Sequence, residues 1–283
     1  MTRWDAWRGR LLGLWAGLAL LYLFIPIFIV VLFSFNDNKG RFNFTWQGFT
    51  LRHWQHPFQN PDLATAFKNS LLIAGISTAI ATALGTFIAL ALVRYSFRGR
   101  SATDFFIFLP LATPEVVLGA ALLGLFLTMN ITTGFVTIVI AHVMFNVSYV
   151  VVTVKARLEG MDQHIEEAAM DLGANELTTF RKVTLPMIAP GVAAAALLAA
   201  ALSVDDYVIT SFNAGQTQTF PLFIYGATRQ GVPAEVNVLA SGLLFVVLAM
   251  LALNLLAQRS RGRRAASALR AVAPPLPGAP ANA

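Results

Sequence analysis

Six apolar runs alternate with polar segments along the chain, at residues 11–35, 71–93, 105–129, 134–154, 187–209 and 238–257. A helix needs about 20 consecutive apolar residues to cross a bilayer, and each run meets that length. The pattern predicts an all-α membrane protein with six transmembrane helices in a domain over 11–257, preceded by a short segment 1–10. Arg3, Arg8 and Arg10 precede the first run as in a signal peptide. The run is too long for a signal-peptide core, and no A-x-A cleavage site follows it, so it predicts a retained anchor. Trp4, Trp7 and Trp15 suit an interfacial aromatic belt. Pro110 and Pro114 fall inside the third run and predict a kink or break there.

Composition agrees with the pattern. The chain is 57% hydrophobic and 12% charged, with a mean hydropathy of +0.66. A soluble domain carries about 25% charged residues. These values exclude a soluble globular enzyme, a disordered chain and a nucleic-acid-binding module. Cysteine is absent, so disulfides, thiol catalysis and Cys-ligated metals are excluded. With the N-terminus inside, the inner segments hold 15 of the 20 Lys and Arg residues, the outer segments only Lys39, Arg41, Arg52, Lys68 and Arg229. This bias predicts a multi-pass membrane protein with both termini cytoplasmic. The net charge of +6 then reports topology and contact with anionic membrane lipid; no nucleic acid partner is expected. The tail 258–283 is basic, then Ala/Pro-rich, and predicts disorder.

The outer segments 36–70 and 211–237 are long and rich in aromatics or Gly and Pro. Each reads either as a folded cap on the helix ends or as a docking face for an external partner. The inner segment 155–186 is more informative. Asp162 suits the start of a short helix, with Glu166 and Glu167 near its positive end. Gly173 suits its stop, because glycine accepts the left-handed cap conformation. Asn175 suits the start of a second short helix reaching Phe180–Val183, and Pro186 tolerates a helix start.

Glu167-Ala168-Ala169, three residues, Gly173, nine residues, Val183, Thr184, Leu185, Pro186 resembles the EAA loop of ABC-importer permeases. Only Val183 departs from that pattern, conservatively replacing Ile. The resemblance implies a type I permease-like fold in which this loop is a coupling helix seated in a groove of a separate cytoplasmic ABC ATPase dimer. Ala168 and Ala169 would allow close approach, Gly173 the turn within the groove, and Glu167 a cap or pair at the contact. Asp171, Leu185 and Pro186 complete the matching stretch. The chain has no G-x-x-x-x-G-K-[ST], and none of its four lysines precedes Ser or Thr. No cofactor is therefore expected in the chain itself; the resemblance places ATP and Mg on the partner ATPase subunits.

Acidic residues in spans are functional candidates by default. Glu115 follows the two prolines of the third run, and Asp205 and Asp206 lie near the outer end of the fifth. Carboxylates beside carbonyls freed by a helix break suit a cation, and several separated carboxylates suit a linear polyamine, with Tyr207 and Phe212 available for cation–π contact. Glu115 reads equally as a half-helix cap or a partner for a neighbouring Arg. Asp205 and Asp206 read equally as a loop start. Adjacent helical residues point about 100° apart, so one of the two acids faces structure and the other the pathway.

Leu202-Ser203-Val204-Asp205-Asp206-Tyr207-Val208-Ile209 resembles the L-S-[IL]-D-D-[FLV]-V-I run of spermidine/putrescine permeases. Pro114-Glu115-Val116, Ile165–Ala174, Ser34-Phe35-Asn36, Asn69-Ser70-Leu71 and Gly231–Asn237 are similar to other stretches of that family, the last with Pro233 displaced by one position. The resemblance implies import of a polyamine through a path shared with a second, homologous permease subunit, with an external substrate-binding protein delivering it. An importer for another solute (a metal ion, another organic cation or a sugar), a proton-driven carrier using Glu115 or His142, and an intramembrane enzyme are the rival classes. His53 and His56 have metal-ligand spacing but no third ligand nearby. His142 in the fourth run reads as a polar packing residue or a proton relay, and His164 as a surface residue of the inner loop.

Overall fold

The computed structural model describes residues 3–40, 42–162, 164–250 and 252. The end of the sixth run and the tail 258–283 lie outside the described residues. The chain divides into two compact units, residues 1–57 with 232–283, and residues 58–231.

The first unit opens on α1 (Arg3–Phe33), whose span-length part, Leu11–Phe33, buries none of its side chains. An apolar rod of this kind is at ease only among lipid tails or partner helices. Asn36 then organises the following loop. Its buried amide donates to Asn43 Oδ1 and to the Thr45 carbonyl, both at 2.7 Å, and accepts from the Gln47 N–H at 2.6 Å. Phe35 stacks between Phe49 and Trp54. These contacts fold the loop on itself ahead of one short helix, α2 (Arg52–Gln55). His53 lies 3.3 Å from Glu235, at the start of the apolar helix that closes the unit, Ala234–Met250. It does not share a site with His56, and no group of three metal-ligating side chains occurs among the described residues.

The second unit holds α3 (Pro61–Arg94), α4 (Arg100–Ala112), α5 (Glu115–Thr128), α6 (Phe135–Glu159), α7 (His164–Asp171), α8 (Glu176–Thr179), a π-helical turn (Phe180–Thr184), α9 (Leu185–Asp205), α10 (Val208–Asn213) and α11 (Phe220–Gln230). Asn60 caps α3 by accepting from the Asp62 and Leu63 N–H groups, and Pro61 occupies the first turn, where its missing N–H is harmless. The second span therefore begins ten residues before its apolar run. Its buried face carries Ser77, Ala81, Gly85 and Ala89 at four-residue spacing. Small residues in one stripe let helix backbones approach closely where lipid supplies no hydrophobic drive. A Cβ built on Gly85 would lie 2.6 Å from Val150 of α6. The main core follows from this approach: Ala89 and Leu92 of α3, Val150, Val151, Val154 and Leu158 of α6, and Ile188, Ala195 and Ala199 of α9.

The third span is broken, as the two prolines predict. Helices α4 and α5 meet at 110° across Thr113 and Pro114. The fourth reaches Glu159, five residues further than its apolar run. The fifth stops at Asp205, four residues short of the run's end, because Asp206 turns extended (φ −63°, ψ 119°) and Val208–Asn213 forms a separate short helix. Among the described residues four helices are long and apolar enough to span, five when the bent pair is counted as one span. The helix Ala234–Met250 stands where the sixth was expected.

Candidate functional site

The inner loop forms the helix, glycine turn and helix that its residues predict. The Asp162 side chain accepts from the His164 N–H at 3.0 Å and so opens α7. At the other end the Ala174 N–H reaches the Ala169 carbonyl and the Gly173 N–H the Met170 carbonyl, with Gly173 at φ +89°. This is a Schellman stop, which favours glycine at the left-handed position. Asn175 accepts from the Thr178 N–H at 2.8 Å and opens α8. The second short helix does not end before the span, however. It continues through the π-helical turn into α9, giving one helical rod over Glu176–Asp205. Pro186 lies just beyond that turn, which absorbs the register change forced by a missing N–H.

None of the residues of α7 is buried. Ala168, Leu172 (90% exposed) and Leu177 face outward, as do Asp171, Leu185 and Pro186. Glu167 pairs with its own neighbour His164 at 3.0 Å on the exposed face. That contact, with the charge of Asp162 added, raises the His164 pKa above its ordinary value. The inward acid is Glu166, which the sequence offered only as a helix-dipole partner. It accepts from Arg94 at the end of α3 and from Thr184 at the foot of α9.

At the other end of α9 the acids separate. Asp206 is the buried and paired one. Its side chain is 6% exposed and accepts from the Thr210 N–H at 2.7 Å and the Thr210 hydroxyl at 2.6 Å. His142 Nε2 lies 3.2 Å from Asp206 Oδ2, and His142 Nδ1 lies 2.6 Å from Ser203 Oγ, itself 3.1 Å from Ser77 Oγ. Each contact in this chain of groups pairs one able to donate with one able to accept, and His142 Nε2 also lies 2.9 Å from Thr210 Oγ1. This relay joins α3, α6, α9 and α10, and satisfies groups that would be costly to bury alone. His142 is thus a buried polar contact between α6 and α9–α10.

Asp205 is exposed, and its carboxylate has no partner among the described residues. The same holds for Glu115, in the first turn of α5 beyond the Pro114 break. Tyr207 packs at a tilt of 37° against Tyr225, with ring centroids 4.6 Å apart, and Arg229 lies over the Tyr225 ring. Helix α10 packs on α5 through Gly119, whose added Cβ would meet Phe212 at 2.7 Å and the Ile209 Cα at 3.3 Å. Asn213 donates to the carbonyls of Gly119 and Ile209. Glu115 lies one turn, about 6 Å, before Gly119. The helix that carries Glu115 is therefore seated on the short helix that follows Asp205 and Asp206. Sequence reasoning missed the His142–Asp206 pair and the Arg94–Glu166 pair, each formed across more than 60 residues of chain.

Comparison with known proteins bears on the chain as a whole. Residues 81–263 match the family described as binding-protein-dependent transport system inner membrane component. The chain is 40% identical to the spermidine/putrescine transport system permease protein PotC of Haemophilus influenzae, over 84% of this chain and 92% of that one. It is 41% identical to PotC of Escherichia coli K12, over 85% of this chain and 90% of the relative. The putrescine transport system permease protein PotI of the same strain is 39% identical, over 80% and 83%. Among solved structures, a chain of a bacterial ABC transporter for the acidic polysaccharide alginate superposes with a TM-score of 0.64 at 17% identity, covering 92% of this chain and 98% of that one. A chain of the MetNI methionine ABC transporter in an inward-facing conformation gives 0.53 at 18% identity, covering 72% and 95%. These likenesses are of fold, and the fold is that of type I ABC-importer permeases.

Proposed function

Because the chain belongs to the family of inner membrane components of binding-protein-dependent transport systems, we propose that it is the permease subunit of an ATP-driven importer of polyamines, working by alternating access. The observation that carries this reading is the identity of about 40% to polyamine permeases over more than four fifths of both chains. Geometry adds support. Glu115 and Asp205 are unpaired carboxylates beside breaks in two helices, an arrangement suited to a cation with several separated ammonium groups. Tyr207 flanks Asp205 and offers an aromatic face.

In this reading α7 docks on a cytoplasmic ABC ATPase dimer, which holds ATP and Mg, while this chain carries no ATPase site of its own. Exposed Ala168 in α7 and Leu172 just after it give the apolar surface such docking needs. Glu167, Asp171, Leu185 and Pro186 border the contact. A second homologous permease subunit completes the path, and an external binding protein delivers the polyamine to the outer segments. Both termini are cytoplasmic, as the distribution of Lys and Arg favours. Closure of the ATPase dimer moves α7 and the rod that follows it, opening the path outward to Glu115 and Asp205.

The test is ATPase activity of the complex that co-purifies with the chain from its own membrane, reconstituted with its binding protein and putrescine or spermidine. Stimulation by a polyamine that is lost in Gly173→Asp is expected. An associated ATPase indifferent to polyamines would keep the importer and discard the cargo. Uptake by this chain alone, abolished by an uncoupler, would establish a proton-driven carrier instead.

A further inference from the structure

We propose that Glu166 is the residue through which the coupling helix acts on two spans at once. A single carboxylate oxygen, Oε1, accepts from Arg94 Nη2 at 2.9 Å and from Thr184 Oγ1 at 2.6 Å. Arg94 is the last residue of α3 and Thr184 the last of the π-helical turn leading into α9. The Arg94 and Glu166 side chains are each 15% exposed, so water screens their attraction little. Among the described residues, this contact is the side-chain polar link from α7 to α3 and to the turn that leads into α9. The proposal rests on the importer reading and assigns a transmission residue within it.

Two features make the contact a transmitter as well as a staple. Thr184 ends a π-helical turn, in which the Leu185 N–H reaches the Phe180 carbonyl. Such turns recur at functional positions because they let a helix slip by part of a turn without breaking. A cavity of about 550 Å³ adjoins the contact, lined by Arg94, Glu166, Thr179, Phe180 and Thr184. Arg94 Nε and the Thr179 hydroxyl are buried there without partners. Room and spare donors are thus present for Glu166 to shift with α7 while keeping a bond to each span. Glu167, one residue on, points to the outer face, so it is available to the ATPase while Glu166 holds the spans.

The test uses the full complex in proteoliposomes with its binding protein and putrescine. Glu166→Gln is expected to keep the ATPase subunits bound at the wild-type ratio. Its stimulation by putrescine-loaded binding protein should fall at least tenfold, and putrescine moved per ATP should fall, with an unchanged KM for putrescine. Thr184→Val, which frees only the α9 limb, should give an intermediate loss. The exchanged pair Glu166→Arg with Arg94→Glu should recover part of the coupling. Wild-type coupling in Glu166→Gln would overturn the proposal, as would loss of the complex in both Glu166→Gln and the exchanged pair, which marks a purely structural contact. Absence of stimulation in the wild-type complex would instead strike the importer reading.

Discussion

The conformation of Gly173 yields a prediction that separates two explanations of why a glycine stands there. At φ +89° it lies where L side chains are disfavoured, yet a Cβ built on it meets nothing within 4 Å. In the free chain any cost of substitution is therefore backbone strain alone. For Ala that is about 1–2 kcal/mol, while Asn tolerates the left-handed region through local hydrogen bonds. A β-branched residue is a genuine outlier there. A penalty of 1–2 kcal/mol changes the ratio of native turn to its alternatives about 5–30-fold. Membrane insertion, which depends on the apolar runs, should be untouched.

The expected order of putrescine-driven transport is thus Gly173, then Gly173→Asn close behind, then Gly173→Ala, then Gly173→Val. If close approach of the ATPase groove sets the requirement instead, side-chain volume decides, and Ala must outperform Asn. Uptake into proteoliposomes, normalised to inserted permease and bound ATPase, distinguishes the two. Transport by Gly173→Ala equal to or above that of Gly173→Asn would refute the conformational argument. Gly173→Asp matches Asn in size and in tolerance of the left-handed region, so any loss beyond that of Asn reports the added charge at the docked surface.

The remaining predictions concern other parts of the chain. Asp206→Ala leaves the Thr210 N–H and His142 without their acceptor and should cost about 1–3 kcal/mol; the Tm of the detergent-solubilised complex should drop, while Asp205→Asn leaves it unchanged, and the opposite order would exchange the two roles. Glu115→Gln should raise the KM for putrescine more than it disturbs assembly, and equal loss of assembled complex would make Glu115 a structural cap. Gly85→Ala drives a methyl to 2.6 Å from Val150 and should cost about 1–3 kcal/mol in thermal unfolding, recovered by adding Val150→Ala; a wild-type Tm in the single variant would contradict the close approach of α3 and α6. The raised pKa of His164 comes first from its bond to Glu167, then from the charge of Asp162. The pairing therefore steadies the first turn of α7 fully below about pH 6.5 and is lost as pH rises through the higher folded-state value. NMR titration of the His164 ring should show a midpoint above 6.5 that falls in Glu167→Gln, and an identical midpoint in that variant would remove the pairing.

Much of this architecture was legible because it rests on local chemistry. Apolar runs located the spans, and Asp162, Gly173 and Asn175 marked ends of the short helices through bonds made within a few residues. Pro110 and Pro114 marked the break. Boundaries failed where polarity and helicity part company. The first ten residues of α3 are amphipathic, so hydropathy missed them while the Asn60-Pro61 start was already visible in the residues. The apolar run continues through Val208 and Ile209 although the helix stops at Asp205, because Asp206 finds its partners in Thr210 and His142. The sequence expectation did not say which of the two adjacent acids is held within the structure; the pairing of Asp206 depends on a histidine 64 residues away.

That dependence has a mechanical consequence for the proposed cycle. The rod Glu176–Asp205 is 30 residues long, about 45 Å, against a hydrocarbon core of about 30 Å. An acid holds each end: Glu166 binds Thr184 near the foot, and Asp206 joins His142 and Ser203 at the top. A rod fixed at its foot to the coupling helix cannot be displaced without loading its top. There the chain turns into α10, which rests on α5 through Gly119, one turn from Glu115. Asp205 sits at the turn itself. The two unpaired carboxylates thus lie at the places a displacement of the rod reaches first, whereas the paired ones, Glu166 and Asp206, carry it. In the proposed cycle the pairing of Glu166 and Asp206 leaves Glu115 and Asp205 as the acids open to a cation, and the Asp205→Asn and Asp206→Ala comparison measures that division.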